Sequence, residues 1–487
     1  MITVQLNRAD FEYDIHSLVK AFFPPQDVVV SAEKKQPEGA ISFHIMVHYG
    51  ENFIGINLYE TEDTGKPPLL SRKFEVDFSD RKSTKNRLKQ EIYELLREYT
   101  GQSLPWGTLT GIRPTKIPMA FLEEGRDEEY IRSYMMETYF ASEEKISLSI
   151  EVAKRELALL KKIDYDRGYS LYIGIPFCPS TCLYCSFTSY PLNLWEKRIG
   201  EYLDALEKEI DFAAKHFRDK KLNAVYVGGG TPTTLNPAQL TRLIEKIKNC
   251  FDLKDCLEFT VEAGRPDSIT REKLMVLREQ GISRISINPQ TMKEETLKII
   301  GRHHTVQQAR DSFYLARELG FDNINMDLIL GLPGENIRDV ERTMEEVRKL
   351  APDNLTIHSL ALKRGARLNM FREEYKDLTF ENTWETVEMT ARLAGEMGMT
   401  PYYLYRQKNM AGNFENVGYA LPGKAGVYNI LIMEEKQTVV ALGAGSITKR
   451  VYGDGRIERC DNVKDVAGYI GRIDEMLERK CALFMTK

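Results

Sequence analysis

From Ser170 onward the chain alternates short apolar segments with helical stretches, and this rhythm restricts its architecture more than any other feature. Leu171–Ile175, Ala224–Val227, Leu257–Val261, Arg284–Asn288, Ile324–Leu330 and Leu355–Leu360 are mostly β-branched or apolar. Each of the first five precedes a helical pattern. In one of these, Val306, Ala309, Phe313 and Ala316 form an apolar stripe, and Gly320 stands where a C′ glycine ends a helix. Alternating strands and helices, with strands of the buried type, predict parallel β/α units and an α/β fold. Six such units make an open, partial barrel and fall short of the closed eightfold one. Chemistry in such folds gathers at the C-terminal ends of the strands, and every motif below falls there.

A chain of 487 residues leaves room for roughly three domains. The six units occupy residues 165–365. Residues 1–164 are predicted to form an α/β accessory domain that helps to close over or recognise the substrate. Within it Ile41–His48 and Phe53–Tyr59 alternate like paired strands around Gly50 and Asn52. Asn86–Tyr99 places Leu88, Ile92, Leu95 and Leu96 on one helical face, Gly111–Lys116 interrupts as a loop, and two helices follow, the second over Ser142–Lys161. Residues 366–487 are predicted to be a smaller α+β region. It holds a helix over Phe380–Met397 with Trp384, Val387, Ala391 and Ala394 on one face. A Tyr- and Gly-rich stretch, Pro401–Gly423, follows, then short strands around Val427–Met433 and Thr438–Leu442.

The net charge of −5 provides no field for gripping nucleic acid or an anionic membrane. No apolar run is long enough to span a bilayer, and Met1–Asp10 is polar where a signal peptide needs an apolar core. The expectation is a cytoplasmic protein with neither nucleic acid nor membrane as a partner. Of seven cysteines, three fall within eight residues, while Cys250, Cys256, Cys460 and Cys481 scatter without ligand-like spacing. Reduced thiols fit this pattern better than a disulfide framework.

The cluster of three follows the first strand: Pro176-Phe177, then Cys178-x3-Cys182-x2-Cys185. Thiolates are the usual ligands of cubane iron–sulfur clusters, and the usual number is four. Three on a tight loop leave one iron open, as a catalytic metal requires. Zinc would want a fourth ligand, and no second pair or nearby histidine accompanies the triad. Gly228-Gly-Gly-Thr-Pro-Thr233 follows the second strand, where glycines let backbone approach a ligand and expose amide hydrogens. Taken alone, that turn is equally well an ordinary tight turn. Glu262 comes directly after the third strand, placed to accept hydrogen bonds from a ribose or an ammonium group.

Cys178-Pro-Ser-Thr-Cys182-Leu-Tyr-Cys185, with Tyr184 before the third cysteine, resembles the signature of the radical S-adenosylmethionine superfamily. Ile175-Pro-Phe-Cys178, Gly228–Thr233, Met326-Asp-Leu-Ile-Leu-Gly-Leu-Pro333 and Leu442-Gly-Ala-Gly-Ser446 resemble, in order, the oxygen-independent coproporphyrinogen III oxidases and their relatives. The long N-terminal extension and Asn409-Met-Ala-Gly-Asn-Phe-Glu-Asn-Val-Gly418 are similar to the HemZ-type branch of that family. The resemblance implies a [4Fe–4S] cluster on Cys178, Cys182 and Cys185, with S-adenosylmethionine on its open iron and a second molecule nearby. It implies that Tyr172, Gly229, Glu262 and Ile447 contact the cluster-bound molecule. It likewise implies that Tyr184, Gly230, Thr231, Gln290, Arg302, Asp327 and Ala361 line the second site. A tetrapyrrole substrate and a low-potential electron donor such as flavodoxin or ferredoxin complete the expected partners. The expected reaction is decarboxylation of coproporphyrinogen III to protoporphyrinogen IX, with a haem-binding chaperone or a tetrapyrrole methyltransferase as alternatives. Arg113-Pro-Thr-Lys116 and Arg406-Gln-Lys408 are candidate carboxylate binders. Two departures bear on the reaction: Phe187 stands where the decarboxylating enzymes carry a fourth cysteine, and Gly174 where they carry a histidine. His303-His304 is not expected to be a haem ligand pair, because adjacent side chains point apart.

Overall fold

A computed structural model describes residues 1–24, 26–33, 41–60, 65–361, 366–367, 382–407 and 414–485. The chain forms two compact units. The first comprises Met1–Ala153 and Tyr405–Glu415, the second Lys154–Leu404 and Asn416–Lys487.

The first unit is built on β1 (Ile2–Leu6), β2 (Val28–Ser31), β3 (Phe43–Tyr49), β4 (Phe53–Tyr59) and β5 (Leu70–Glu75), in the order β2-β1-β3-β4-β5. β1 pairs in parallel with β2 and β3, and β3, β4 and β5 form an antiparallel meander. The helices Glu12–Phe22 and Arg81–Thr100 cover one face, burying Ile15, Leu18, Leu88, Ile92 and Leu96 against Ile2, Ile45 and Ile56. After the Gly111–Lys116 loop come three helices, Lys116–Glu123, Glu128–Tyr139 and Glu143–Leu160, where two were expected. Gly125 in the left-handed region and the Asp127 cap, which accepts from Tyr130 N–H, make the additional break. Tyr405–Glu415 joins this unit because Arg406 N–H donates to Ile112 O, and the buried Glu415 accepts from Trp106 Nε1 at 2.7 Å. Arg406 therefore lies against the Leu109–Ile112 backbone, while Lys408 lies outside the described residues.

The second unit holds the predicted parallel core. Its strands are β6 (Gly168–Ile175), a short pair β7 (Phe177–Cys178) and β8 (Tyr190–Pro191), then β9 (Lys221–Gly229), β10 (Glu258–Gly264), β11 (Arg284–Ile287), β12 (Ile324–Leu330) and β13 (Asn354–Ser359). β14 (Thr400–Tyr405), β15 (Asn416–Ala420), β16 (Thr438–Leu442), β17 (Ile447–Val451) and β18 (Ile457–Asp461) follow. The sheet runs β14-β15-β13-β12-β11-β10-β9-β6-β16-β17-β18, so the six expected strands lie side by side in chain order and the two ends stay open. This is the open, partial barrel of the α/β class. Its crossover helices start where the sequence supplies caps: Asn236 with Gln239, Thr305 with Gln308, and Asn336 with Asp339 form reciprocal capping boxes.

The C-terminal residues extend that sheet. β16 pairs in parallel with β6, Ala441 opposite Tyr172, and β15 pairs antiparallel with β13. The expected boundaries at 164 and 365 thus differ from the two observed units, and residues 362–365 are themselves outside the described set. Val427–Glu434 is a helix, not the expected strand. Its buried positions 427, 428, 430, 431 and 434 follow a helical period, and its first amide, Val427 N–H, donates to the buried carboxylate of Glu258. The helix expected from Phe380 is observed over Trp384–Glu396; its expected start lies outside the described residues.

Candidate active site

β6 ends at Ile175, and the chain turns through Pro176 into β7 and the cysteine loop. Three neighbours hold that loop. Leu183 N–H donates to Ile300 O at 2.9 Å, and Ser180 Oγ donates to Gly301 O at 3.0 Å. Arg265, just beyond β10, donates from Nη1 to both Ser180 O and Ser180 Oγ at 2.9 Å, while its Nη2 pairs with Asp267 at 2.6 Å. The same Nη1 lies 3.7 Å from Cys182 Sγ, and Thr231 Oγ1 lies 3.5 Å from Cys178 Sγ. All three cysteines are free thiols, and Cys178 and Cys185 each lie within Coulombic range of Cys182. Burial pushes the Cys178 thiol up to about 11 and raises that of Cys185. Thiolates here therefore need positive charge, which Arg265 and Arg302 supply in part and a bound iron cluster would complete. Among the described residues, no three His, Cys, Asp or Glu side chains converge as ligands of a single metal ion. The donor set, three soft thiols beside two buried guanidiniums, fits an anionic iron–sulfur cluster.

The glycine turn after β9 packs directly on this strand end. Gly230 N–H donates to Ile175 O at 2.8 Å, and Thr231 N–H donates to Phe177 O at 2.7 Å. A Cβ on Gly230 would stand 2.6 Å from Phe177 O, and Gly229 has φ +106°, so both positions require glycine. The sequence suggested that these amides face a ligand. Two of them fasten the turn to the cysteine strand, and Gly229 N–H lies at the Glu262 carboxylate.

Behind the turn, Tyr172 and Tyr226 are register neighbours on β6 and β9 with stacked rings 6.3 Å apart, and Tyr428 stacks on Tyr226 at 4.5 Å. Tyr226 OH donates to Glu262 Oε1. Burial, reinforced by the charge of Asp327, pushes Glu262 up to about 7, against the pull of the Tyr226 hydrogen bond, Arg284 and Gly229 N–H. Asp327 on β12 is also buried, which raises it. The neighbouring His358, 3.9 Å away, and the hydrogen bond from Asn325 Nδ2 at 2.7 Å prevail, with Thr356 close by, and hold it below its ordinary value.

The remaining predicted residues divide. Gln290 has φ +70°, unusual for a residue with a side chain, and is fixed by Gln290 N–H to Asp327 O and Ile329 N–H to Gln290 O, both 3.0 Å. Its buried Oε1 has no protein partner. Arg302 is 6% exposed, donates to Asn288 O, and faces Tyr184 and Cys182 within electrostatic range. Tyr184 and Arg302 therefore lie beside the triad, while Gln290 and Asp327 adjoin each other where the chain leaves β11 and on β12. Ala361 sits half-buried beyond the end of β13. Ile447, 44% exposed, begins β17 opposite Asp461, and Gly445 in the preceding turn rests on Thr188. Phe187 is 69% exposed. A Cβ at Gly174 would stand 3.3 Å from Leu442 O, so a side chain there has little space unless β16 gives way. His303 is exposed and His304 buried, so the two rings point apart as expected. Sequence reasoning passed over Arg265, Asp267, Tyr226 and Tyr428. Tyr226 could have been found by its parity with Gly228, two residues along the same strand face.

The Radical SAM superfamily pattern matches residues 172–347, from Tyr172 to Val347. The oxygen-independent coproporphyrinogen-III oxidase-like protein HemZ of Bacillus subtilis (strain 168) is 40% identical over 429 residues, 86% of each chain. This chain belongs to the HemZ-type coproporphyrinogen oxidase-like family of radical SAM proteins. Its cofactors are a [4Fe–4S] cluster and S-adenosylmethionine. The haem chaperone HemW of Bacillus subtilis (strain 168) is 37% identical over 195 residues, 40% of this chain and 51% of that protein. The solved structure of coproporphyrinogen III oxidase (HemN) from Escherichia coli has the same fold. Its TM-score is 0.52 at 24% identity, over 66% of this chain and 73% of that one. No helix among the described residues is long and apolar enough to cross a membrane.

Proposed function

We propose that this HemZ-type protein decarboxylates two propionates of coproporphyrinogen III to vinyl groups without oxygen, giving protoporphyrinogen IX. The observation that carries this reading is similarity to HemZ over 86% of each chain combined with a thiol triad seated at the C-terminal end of the first barrel strand. In this reading Cys178, Cys182 and Cys185 hold the cluster. Tyr172, Gly229, Glu262 and Ile447 border S-adenosylmethionine; Tyr184, Gly230, Thr231, Gln290, Arg302, Asp327 and Ala361 border a second molecule. When bound, these cofactors supply an electron and a 5′-deoxyadenosyl radical able to take a hydrogen atom. Each propionate would give one hydrogen atom to that radical, release carbon dioxide and pass one electron to an external one-electron acceptor, becoming a vinyl group. The chain's own residues set the conditions. Arg265 and Arg302 offset the thiolate charge, Asp327 stays ionised to anchor a ribose or amino group, and the stacked tyrosines keep water away from the reacting end. A flavodoxin or ferredoxin supplies the electron.

A haem-chaperone function is the second reading, favoured by the HemW similarity and by Phe187 and Gly174 at the two departing positions. Anaerobic incubation of the reconstituted protein with coproporphyrinogen III, reductant and S-adenosylmethionine distinguishes them by product mass. Loss of two carboxyl groups per porphyrinogen is the expected result. Haem binding without 5′-deoxyadenosine selects the chaperone, and S-adenosylhomocysteine selects methyl transfer.

Glu262→Gln should leave iron content unchanged while weakening S-adenosylmethionine binding about tenfold or more, since a hydrogen bond to a charged group contributes about 1.5–3 kcal/mol. Burial places the wild-type group at about 7, so its carboxylate fraction grows as pH rises through that value. Wild-type affinity should climb between about pH 6 and pH 8, and the variant should lose that step. Equal affinities and equal pH profiles in a titration would remove Glu262 from the cofactor site.

A further inference from the structure

A buried ionic network on the far side of β16 grips the turn Gly443-Ala-Gly-Ser446 from outside. Glu209, from the helix Ile199–His216, is fully buried. Its Oε2 accepts from Gly443 N–H at 2.8 Å and from Tyr469 OH at 2.6 Å. Its Oε1 accepts from Asn462 Nδ2 at 2.8 Å and pairs with Lys480 Nζ at 2.7 Å, neither charged side chain being exposed. Asn462 Nδ2 also donates to Gly443 O at 2.9 Å. Tyr202 OH donates to Gly174 O at 2.6 Å and accepts from Ala444 N–H at 3.1 Å, linking the turn to the end of β6. Gly445 N–H donates to Val463 O at 2.8 Å, and Ser446 N–H to Gly443 O at 3.2 Å. Each backbone donor of the turn is thereby engaged.

The turn has no slack on its inner side either. A Cβ on Gly443 would lie 2.5 Å from Gly174 O, and one on Gly445 2.6 Å from Thr188 Oγ1, just beyond the cysteine triad. A Lys–Glu pair at zero exposure is a weak device for stability, because well-packed apolar side chains of similar volume serve as well or better. What the pair does provide is a fixed direction for four hydrogen bonds converging on one carboxylate. That is a specification of geometry.

We propose that Glu209, with Lys480, Asn462 and Tyr202, is a positioning network. It holds the Gly443–Ser446 turn against β6 and the cysteine loop, and so sets the affinity of the cluster for S-adenosylmethionine without touching it. The inference rests on the reading that Ile447, directly after this turn, borders S-adenosylmethionine. The test uses full-length, anaerobically reconstituted Glu209→Gln and Lys480→Met proteins, beside Leu243→Ala as a control that weakens the same unit in a crossover helix away from the site. Iron content, thermal midpoint and the S-adenosylmethionine-dependent change in the reduced cluster's electron paramagnetic resonance signal are measured for each. Both network variants should retain iron while binding S-adenosylmethionine about 10- to 100-fold more weakly, the range for partners that orient metal ligands from behind. Leu243→Ala should lose thermal stability with wild-type affinity, and Glu209→Gln combined with Lys480→Met should recover part of the affinity by removing the unpaired charge. Wild-type affinity in both single variants, or equal weakening in Leu243→Ala, overturns the proposal. A wild-type protein whose signal never responds to S-adenosylmethionine overturns the underlying reading instead.

Discussion

Cys182→Ala should abolish cluster assembly. Cys182 is the most enclosed thiol of the triad, 8% exposed, and both guanidiniums act on it: Arg265 Nη1 is 3.7 Å from its sulfur, and the buried Arg302 is within electrostatic reach. Removing it leaves only two thiols to hold the cluster. A cubane already one protein ligand short of the usual four has no redundancy. Reconstitution should yield about four irons per chain in the wild type and fewer than about one in the variant, with the cluster's visible absorption gone. Cys250→Ala and Cys460→Ala are the matched controls, since neither thiol approaches the triad's loop and both should load normally. Wild-type iron and sulfide content in Cys182→Ala would mean that the cluster is held elsewhere, and the site would have to be rebuilt around other residues.

The parts of this molecule legible in its sequence are those set by local pattern. The six parallel strands are apolar runs with turn residues between them, so their order and approximate ends could be read, and β12 falls where expected, at Ile324–Leu330. The cysteine triad was visible because it follows a buried-type strand; Glu262, expected just after the third strand, lies within β10, paired with Ser286, because that strand runs on to Gly264. What escaped depends on distant partners. Glu209 meets Gly443 and Tyr469 across sequence separations of 234 and 260 residues, and no local signal marks it. Val427–Glu434 was misread because eight apolar-rich residues suit either a buried strand or a buried helix. The Glu258 carboxylate at its first amide and the stacking of Tyr428 on Tyr226 favour the helix, and both come from the barrel strands. The glycine turn was placed by alternation, but only the pairing register shows that two of its amides also fasten it to Ile175 and Phe177.

That register makes Gly230→Ala the second large effect. The added methyl would stand 2.6 Å from Phe177 O, 2.9 Å from Ile175 O and 2.9 Å from Pro176 C, all backbone atoms with no rotamer to give way. The turn must therefore move off the strand end. Two hydrogen bonds stretch, Gly230 N–H to Ile175 O and Thr231 N–H to Phe177 O, and Thr231 Oγ1 retreats from Cys178 Sγ. Overpacking of this kind costs about 1–3 kcal/mol, and each lost backbone bond about 1 kcal/mol. The functional loss should exceed the loss of stability, because a displacement of about 1 Å near reacting groups can cost about 100-fold in rate. Reductive cleavage of S-adenosylmethionine, followed as 5′-deoxyadenosine, should fall at least that far in a protein that still folds. Gly200→Ala gives the opposite sign. Gly200 lies in the helix Ile199–His216 with nothing within 4 Å of its would-be Cβ, so alanine there should stabilise by about 0.4–1 kcal/mol and leave cleavage unchanged. If Gly230→Ala cleaves S-adenosylmethionine at the wild-type rate, the close approach of the glycine turn to the cysteine strand is not what organises the site.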